Sequence, residues 1–328
     1  MIFFTLFIIF STTELNPPEV CDLIKKGLDF AYIEEFDSAE VYFEQVIAIF
    51  PANPAGHFFK AALLQLRMMD ESHFNYEKEY LSLMETVRKS CAEILSKEEN
   101  LWAEYYLGSS YAYQAVYEGF KGDYLEVFNY GVKGGRMLQN LIKKEPEFYD
   151  AYLGAGSFEY FWARASRYLP ILKLTDGDVA EAIRKLHVAA EKGIYTGPTA
   201  RNSLVFIYGE EKRYDIATLI IDSLLKEYPL SKTFLWNKAE LEFKKENFSR
   251  AIELYSELYR RYEEHNEKNF SNLAQCKLYI GKCHYRLKEK DKAREALKEV
   301  IGYKKYENKY PKIKDYAREA YLLLSKLL

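Results

Sequence analysis

Apolar positions recur along most of this chain at intervals of three and four, the spacing of a helix with one buried face. From Val20 the series Leu23, Gly27, Phe30, Ala39, Phe43 and Pro51 describes two such helices and the turns around them. The same offsets return at Val205, Tyr208, Ala217, Ile221 and Pro229, and again at Ala239, Ala251 and Tyr255, with Ala217 and Ala251 34 residues apart. Leu107, Gly108 and Tyr111, closed by Leu138 and Pro146, form a further unit. Leu153-Gly154 opens another, and Gly281, Ala293 and Leu297 mark the last. Small residues fall where two helix backbones approach, pairing Gly27 with Ala39 and Gly281 with Ala293. The later aromatic fills the gap to the next unit, and proline ends the second helix. In the middle the spacing stretches: Gly108 to Gly134 is 26 residues and Gly154 to Ala182 is 28, against 12 from Gly27 to Ala39. This predicts long helices or an insertion, running from Arg167 to Asp178, with Asp178 capping a helix Val179–Lys192 that Gly193 closes.

Repeated at consistent offsets, this pattern resembles the tetratricopeptide repeat family. The resemblance implies an all-α, right-handed α-solenoid of about six helical hairpins, two central units enlarged, with a capping helix at the C-terminus. The expected division is residues 20–98 for N-terminal repeats, 99–195 for atypical central repeats, 196–311 for C-terminal repeats and 312–328 for the cap. Residues 154–208, through Gly154-x-Gly156-x-Phe158, Leu169-Pro170, Gly177-Asp178, Leu186 and Ala189, are also similar to a eukaryotic tetratricopeptide family linked to inclusion-body clearance at mitochondria. That likeness implies an adaptor.

Composition supports long helices. Glycine and proline together number 25 of 328, too few for a barrel or sandwich of many short strands. Net charge is −3, giving no global field for nucleic acid, and none is expected as a partner. The charge is uneven: residues 271–328 hold 15 Lys/Arg against 7 Asp/Glu, a basic end that reads first as a solvated face. Ile2 to Phe10 is apolar except for Thr5, too short to cross a bilayer, so residues 1–13 are expected to be a signal peptide or an apolar N-terminal segment. With the signal peptide, the protein would be exported to the periplasm or cell envelope; with the packed segment it would be cytoplasmic. Four scattered cysteines make no disulfide framework, and Cys276 and Cys283, about 10 Å apart along one helix, cannot pair.

No phosphate loop, metal-binding pair of motifs or nucleophile elbow occurs, so no catalytic residue, metal or cofactor is expected. By the resemblance, the first helix of each unit lines a concave groove. Its places here fall on Phe58, Trp102, Tyr105, Tyr113, Phe148, Phe158, Trp162, Phe206, Trp236, Glu240 and Phe243. Such rings favour a peptide or protein segment, or alternatively a glycan or lipid; some of them could instead pack against the central insertion. Arg136, Arg164 and Arg167 are candidate anion contacts, or partners of Glu118 and Glu159. A third reading, an enzyme built from Arg164, Asp176, Asp178 and His187, requires those groups to converge.

Overall fold

A computed structural model describes residues 14–168, 178–264 and 268–327. Among them are fifteen α-helices and no strand. They run α1 (Pro18–Ala31), α2 (Phe36–Ile49), α3 (Pro54–Glu71), α4 (Glu77–Leu95), α5 (Leu101–Lys121), α6 (Tyr124–Lys144), α7 (Ala151–Tyr168), α8 (Val179–Lys192), α9 (Gly197–Glu210), α10 (Tyr214–Glu227), α11 (Lys232–Lys244), α12 (Phe248–Glu264), α13 (Phe270–Arg286), α14 (Lys290–Gly302) and α15 (Lys312–Ser325). Paired in order, they give seven antiparallel hairpins and a terminal helix. The hairpin α3–α4 is the one that the repeat spacing does not register.

One turn builds six of the hairpins. An N–H two to four residues past the end of the first helix donates back five positions: Glu35 to Phe30, His73 to Met68, Asp123 to Glu118, Arg213 to Tyr208, Asn247 to Glu242 and Glu289 to His284. The residue before each donor adopts a left-handed conformation, the arrangement that satisfies the helix's last carbonyls. It is glycine only at Gly122 (φ 86°); Glu34, Ser72, Lys212, Glu246 and Lys288 hold φ between 56° and 63° without that freedom. Helix starts are fixed as firmly. The side chains of Asn53, Asn100, Asp123, Asp178, Ser231 and Asn269 each accept from an N–H of the first turn.

Each hairpin packs on the next, and the first helices of successive hairpins touch from α1 through α11, while the second helices lie outside. That asymmetry bends the stack into a solenoid. Close approach occurs where small residues sit, though not always against the expected partner. Gly27 faces the Phe43 ring and Gly281 faces Leu297, so an aromatic or a leucine, not a second small residue, fills the space opened by the glycine. At the enlarged hairpin the backbones do meet: a Cβ on Gly134 would lie 2.6 Å from Ala112 N and 2.7 Å from Gly108 O. This contact lets α5 and α6, 21 residues each, cross closely.

The stack also touches itself across the turn. The hairpin tips of α1–α4 reach the N-terminal ends of α9, α11 and α13, with partners up to 202 residues apart in sequence. Lys312 at the start of α15 likewise sits 4.5 Å over the Phe120 ring at the end of α5.

Candidate functional site

The first helices carry most of the aromatic rings inward, and over the N-terminal half those rings meet one another. Phe58 of α3 packs edge-on to Tyr113 of α5 at 5.2 Å and against Tyr106 at 5.4 Å. Trp102 stands 4.8 Å from Phe148, and Tyr105 lies 5.5 Å from the same ring. Tyr195, on the loop between α8 and α9, fills what remains, edge-on to Phe59 at 5.2 Å and to Trp102 at 5.6 Å. The Asp150 carboxylate holds that loop, accepting from the N–H groups of Ile194 (2.9 Å), Tyr195 (2.8 Å) and Thr196 (3.1 Å). Burial pushes the Asp150 carboxyl above its usual range, and the three N–H donors oppose that shift.

Phe58 and Tyr105 are therefore core residues, 1% and 4% exposed, not groove walls. The reason is the winding of the solenoid, which brings the α8–α9 loop onto α1, α3 and α5. Tyr113 is packed in the same cluster, and burial raises its phenol. Phe158 lies over Gly135, and Trp162 stacks on Phe128 at 5.7 Å.

The concave face stays open over α7, α9 and α11. Phe161 and Phe206 are 60% and 46% exposed, with ring centroids 6.4 Å apart. Beside them Asn237 donates from Nδ2 to Asn202 Oδ1 at 2.6 Å. An ion-pair chain borders the rings: Arg164 to Glu210 (3.3 Å) and Glu211 (3.5 Å), Glu210 to Lys244 (2.8 Å), and Lys244 to Glu240 (3.1 Å). The Lys244 ammonium, then Arg164, holds the Glu210 carboxyl below its usual range. Lys244 also sits 5.6 Å over the Phe206 ring. Val205, Gly209 and Leu241 floor a shallow hollow between these groups. Trp236 and Phe243 are half-buried against Tyr279, at 5.6 and 5.5 Å.

The candidate anion contacts separate. Arg164 is engaged by Glu210 and Glu211, not by Glu159, whose carboxylate pairs with Lys185. Glu118 accepts from Gln114 within its own helix. Arg136 is exposed, and the Arg167 side chain lies outside the described residues. So do residues 1–13 and the segment 169–177, with the expected insertion and Asp176. Of the remaining groups in the enzyme reading, Asp178 caps α8 and His187 contacts the Tyr208 hydroxyl at 2.8 Å, apart from Arg164's carboxylates. No cluster of three metal-ligating side chains occurs among the described residues. A cleft of about 400 Å³ opens between α6, α7 and α8; of its cations, Arg184 and Lys185 pair with Glu181 and Glu159, and Lys143 lies at its edge. Among the described residues no helix is long and apolar enough to cross a membrane.

Asp150, Tyr195, Glu34 and Asp70 organise the interior yet had no sequence signal. Each acts on a partner far along the chain, and periodicity reports only near neighbours.

Comparison with known proteins agrees with the hairpin geometry. Residues 208–266 and 275–312 each match a tetratricopeptide repeat family model. No curated protein matches the sequence. Among solved structures, a tetratricopeptide repeat protein from Parabacteroides merdae shares 16% identity over 93% of this chain and 99% of its own, with a TM-score of 0.45. A chain of the APC/C hetero-tetramer Cut9-Hcn1 gives a TM-score of 0.56 at 15% identity, over 93% of this chain and 55% of that one. An IFIT1 monomeric mutant with Gppp-AAAA gives 0.51 at 17% identity, over 88% of this chain and 67% of that one. At these identities the likeness is one of fold.

Proposed function

This chain is a tetratricopeptide repeat protein, and from that premise we propose that it is a non-enzymatic scaffold holding a peptide or protein segment on the concave face of α7, α9 and α11. The observation that carries this reading is the exposure of Phe161 and Phe206 beside the Asn202–Asn237 pair, while the N-terminal furrow is filled by the chain's own rings. Exposed rings give apolar anchors at low entropic cost, and the amides and ion pairs around them supply a polar rim. Trp236, Glu240 and Phe243 continue the face toward α13. Export to the cell envelope belongs to the same proposal and is supported by the apolar run Ile2–Phe10.

The test is selection of binders from a random peptide display library on the full chain, repeated with Phe206→Ala and Phe161→Ala. Selected peptides should lose affinity at least tenfold for both variants and retain it for a substitution on the outer helices. Peptides indifferent to both changes would remove the site, and glycan or anionic-lipid binding that is lost in the same variants would assign the face to the alternative ligands. N-terminal sequencing of the mature protein decides export, because an intact Met1 is incompatible with cleavage.

A further inference from the structure

The first two hairpins meet the last units through a small set of polar contacts and the packing of the Tyr32 ring on Tyr228 and Phe234. Glu34, at the tip of α1–α2, accepts from Lys232 N (2.8 Å) and Thr233 N (3.0 Å) with its carboxylate, and from the Ser231 hydroxyl (3.3 Å). It thus caps α11 from 198 residues away. Asp70, at the end of α3, accepts at its main-chain carbonyl from Asn269 Nδ2 and Asn272 Nδ2, both at 2.8 Å, and at its carboxylate from the Tyr262 hydroxyl (3.3 Å). The Tyr228 hydroxyl donates to Asp29 at 3.2 Å, and the Tyr32 ring rests on Tyr228 at 5.1 Å.

We propose that Glu34 and Asp70 form a releasable clasp, which closes the solenoid turn when engaged and lets α1–α4 swing away from α11–α13 when it parts. The proposal is independent of the scaffold reading. Its first support is that release leaves no helix uncapped. Ser231 Oγ already accepts from Phe234 N at 3.2 Å, and Asn269 Oδ1 from Ser271 N at 2.9 Å. Water can replace the remaining polar contacts as the Tyr32 ring parts from Tyr228 and Phe234, whereas the apolar faces between neighbouring hairpins and the Tyr195 ring contacts stay packed. The second support is position. Among the left-handed turn residues, Lys212, Glu246 and Lys288 are exposed and Glu34 and Ser72 are buried, and the Glu34 side chain is turned onto the start of another helix.

The clasp also has a built-in pH response. Among the described residues Glu34 faces Asp70 from α3, Lys232 from α11 and the Tyr262 phenol from α12, and the Lys232 ammonium lies 3.9 Å from Asp70. Burial, then the Asp70 charge, raises the Glu34 carboxyl; the N–H groups of Lys232 and Thr233 offset part of this. A raised carboxyl favours the closed form while it is protonated, so closure weakens as pH rises through the closed-state pKa.

The experiment uses the full chain and small-angle scattering with amide hydrogen exchange across about pH 5 to 8. On raising pH the radius of gyration should grow, and exchange at the Lys232 and Thr233 amides should quicken about tenfold. Glu34→Gln, which mimics the protonated acid, should stay closed and flat with pH, while Glu34→Ala should be open throughout with unchanged helix content. A pH-independent wild-type profile, or wild-type protection of Lys232 and Thr233 in Glu34→Ala, would overturn the clasp. Should Glu34→Ala lose helix content, the wild-type and Glu34→Gln profiles decide by themselves.

Discussion

Asp150 and Tyr195 are joined by a 2.8 Å hydrogen bond from the tyrosine's main-chain N–H to the carboxylate, and the bond determines what occupies the axis of the solenoid. Asp150 precedes α7 and Tyr195 precedes α9, so a hairpin's length of chain separates them. By holding three consecutive N–H groups, Asp150 turns the loop so that the Tyr195 ring enters between Phe59 and Trp102. The Tyr32 hydroxyl then reaches the Tyr195 carbonyl at 3.4 Å, tying the plug to the first hairpin.

Replacing Asp150 by Ala should therefore cost about 2–4 kcal/mol, because three N–H groups, two of them in buried surroundings, lose their acceptor together. Asp150→Asn retains one oxygen and should cost about 1–2 kcal/mol at neutral pH. The native carboxyl is raised by burial, so its contribution is complete below the pKa of the unfolded chain and declines as pH rises through the folded value. Chemical denaturation of wild type and Asp150→Asn at several pH values checks this: the wild-type advantage should shrink from acid toward neutral pH.

The turns offer a gain instead. Lys212 and Lys288 are exposed and hold φ of 59° and 63°. Glycine would relieve left-handed strain of about 1–2 kcal/mol, less about 0.5–1 kcal/mol of added freedom in the unfolded chain. The double variant Lys212→Gly/Lys288→Gly should thus be more stable by about 1 kcal/mol, read as a higher thermal midpoint with an unchanged circular dichroism spectrum.

How much of this was readable beforehand depended on range. The 34-residue spacing of Ala217 and Ala251, and Asp178 as a cap with Gly193 beyond, are local and appear as helices in the expected places. The inward rings were also legible as inward. What they meet was not: Phe58 and Tyr105 became core because Tyr195, some 90 to 137 positions later, lands on that cluster. The hairpin α3–α4 does not register in the spacing because the fully buried Tyr80 stands at the fourth position of its second helix, where α2, α10, α12 and α14 carry Ala39, Ala217, Ala251 and Ala293. Arg164 found Glu210 across a neighbouring hairpin, a contact that i, i+4 reasoning within one helix does not reach.

The crossing of α5 and α6 tests the close-approach argument. A methyl on Gly134 would meet backbone atoms, Ala112 N at 2.6 Å and Gly108 O at 2.7 Å, which have no rotamer with which to withdraw. Gly134→Ala should therefore destabilise by about 2–3 kcal/mol despite alanine's better helix propensity. Gly131→Ala, whose Cβ would find Ala115 at 3.8 Å, should be neutral or stabilising. Equal effects in thermal melts of the two variants would refute the backbone contact.

Trp102 and Phe206 both lie on first helices, and the two halves of the solenoid make opposite demands on them. Trp102 touches Tyr105, Tyr106, Phe148 and Tyr195 within 5.7 Å, so Trp102→Ala leaves a void that its ring neighbours cannot close, at about 3 kcal/mol. Phe206, 46% exposed, has Phe161 and Tyr160 beside it and the Lys244 ammonium 5.6 Å over its ring, with the rest open to solvent. Its removal should change stability by no more than about 0.5 kcal/mol. Denaturation separates the two variants by folding, and the peptide selection separates them by binding: Phe206→Ala should bind weakly while folding normally. A Phe206→Ala protein as unstable as Trp102→Ala would mean that the open face is part of the core, and that the concave surface has no place left for a partner.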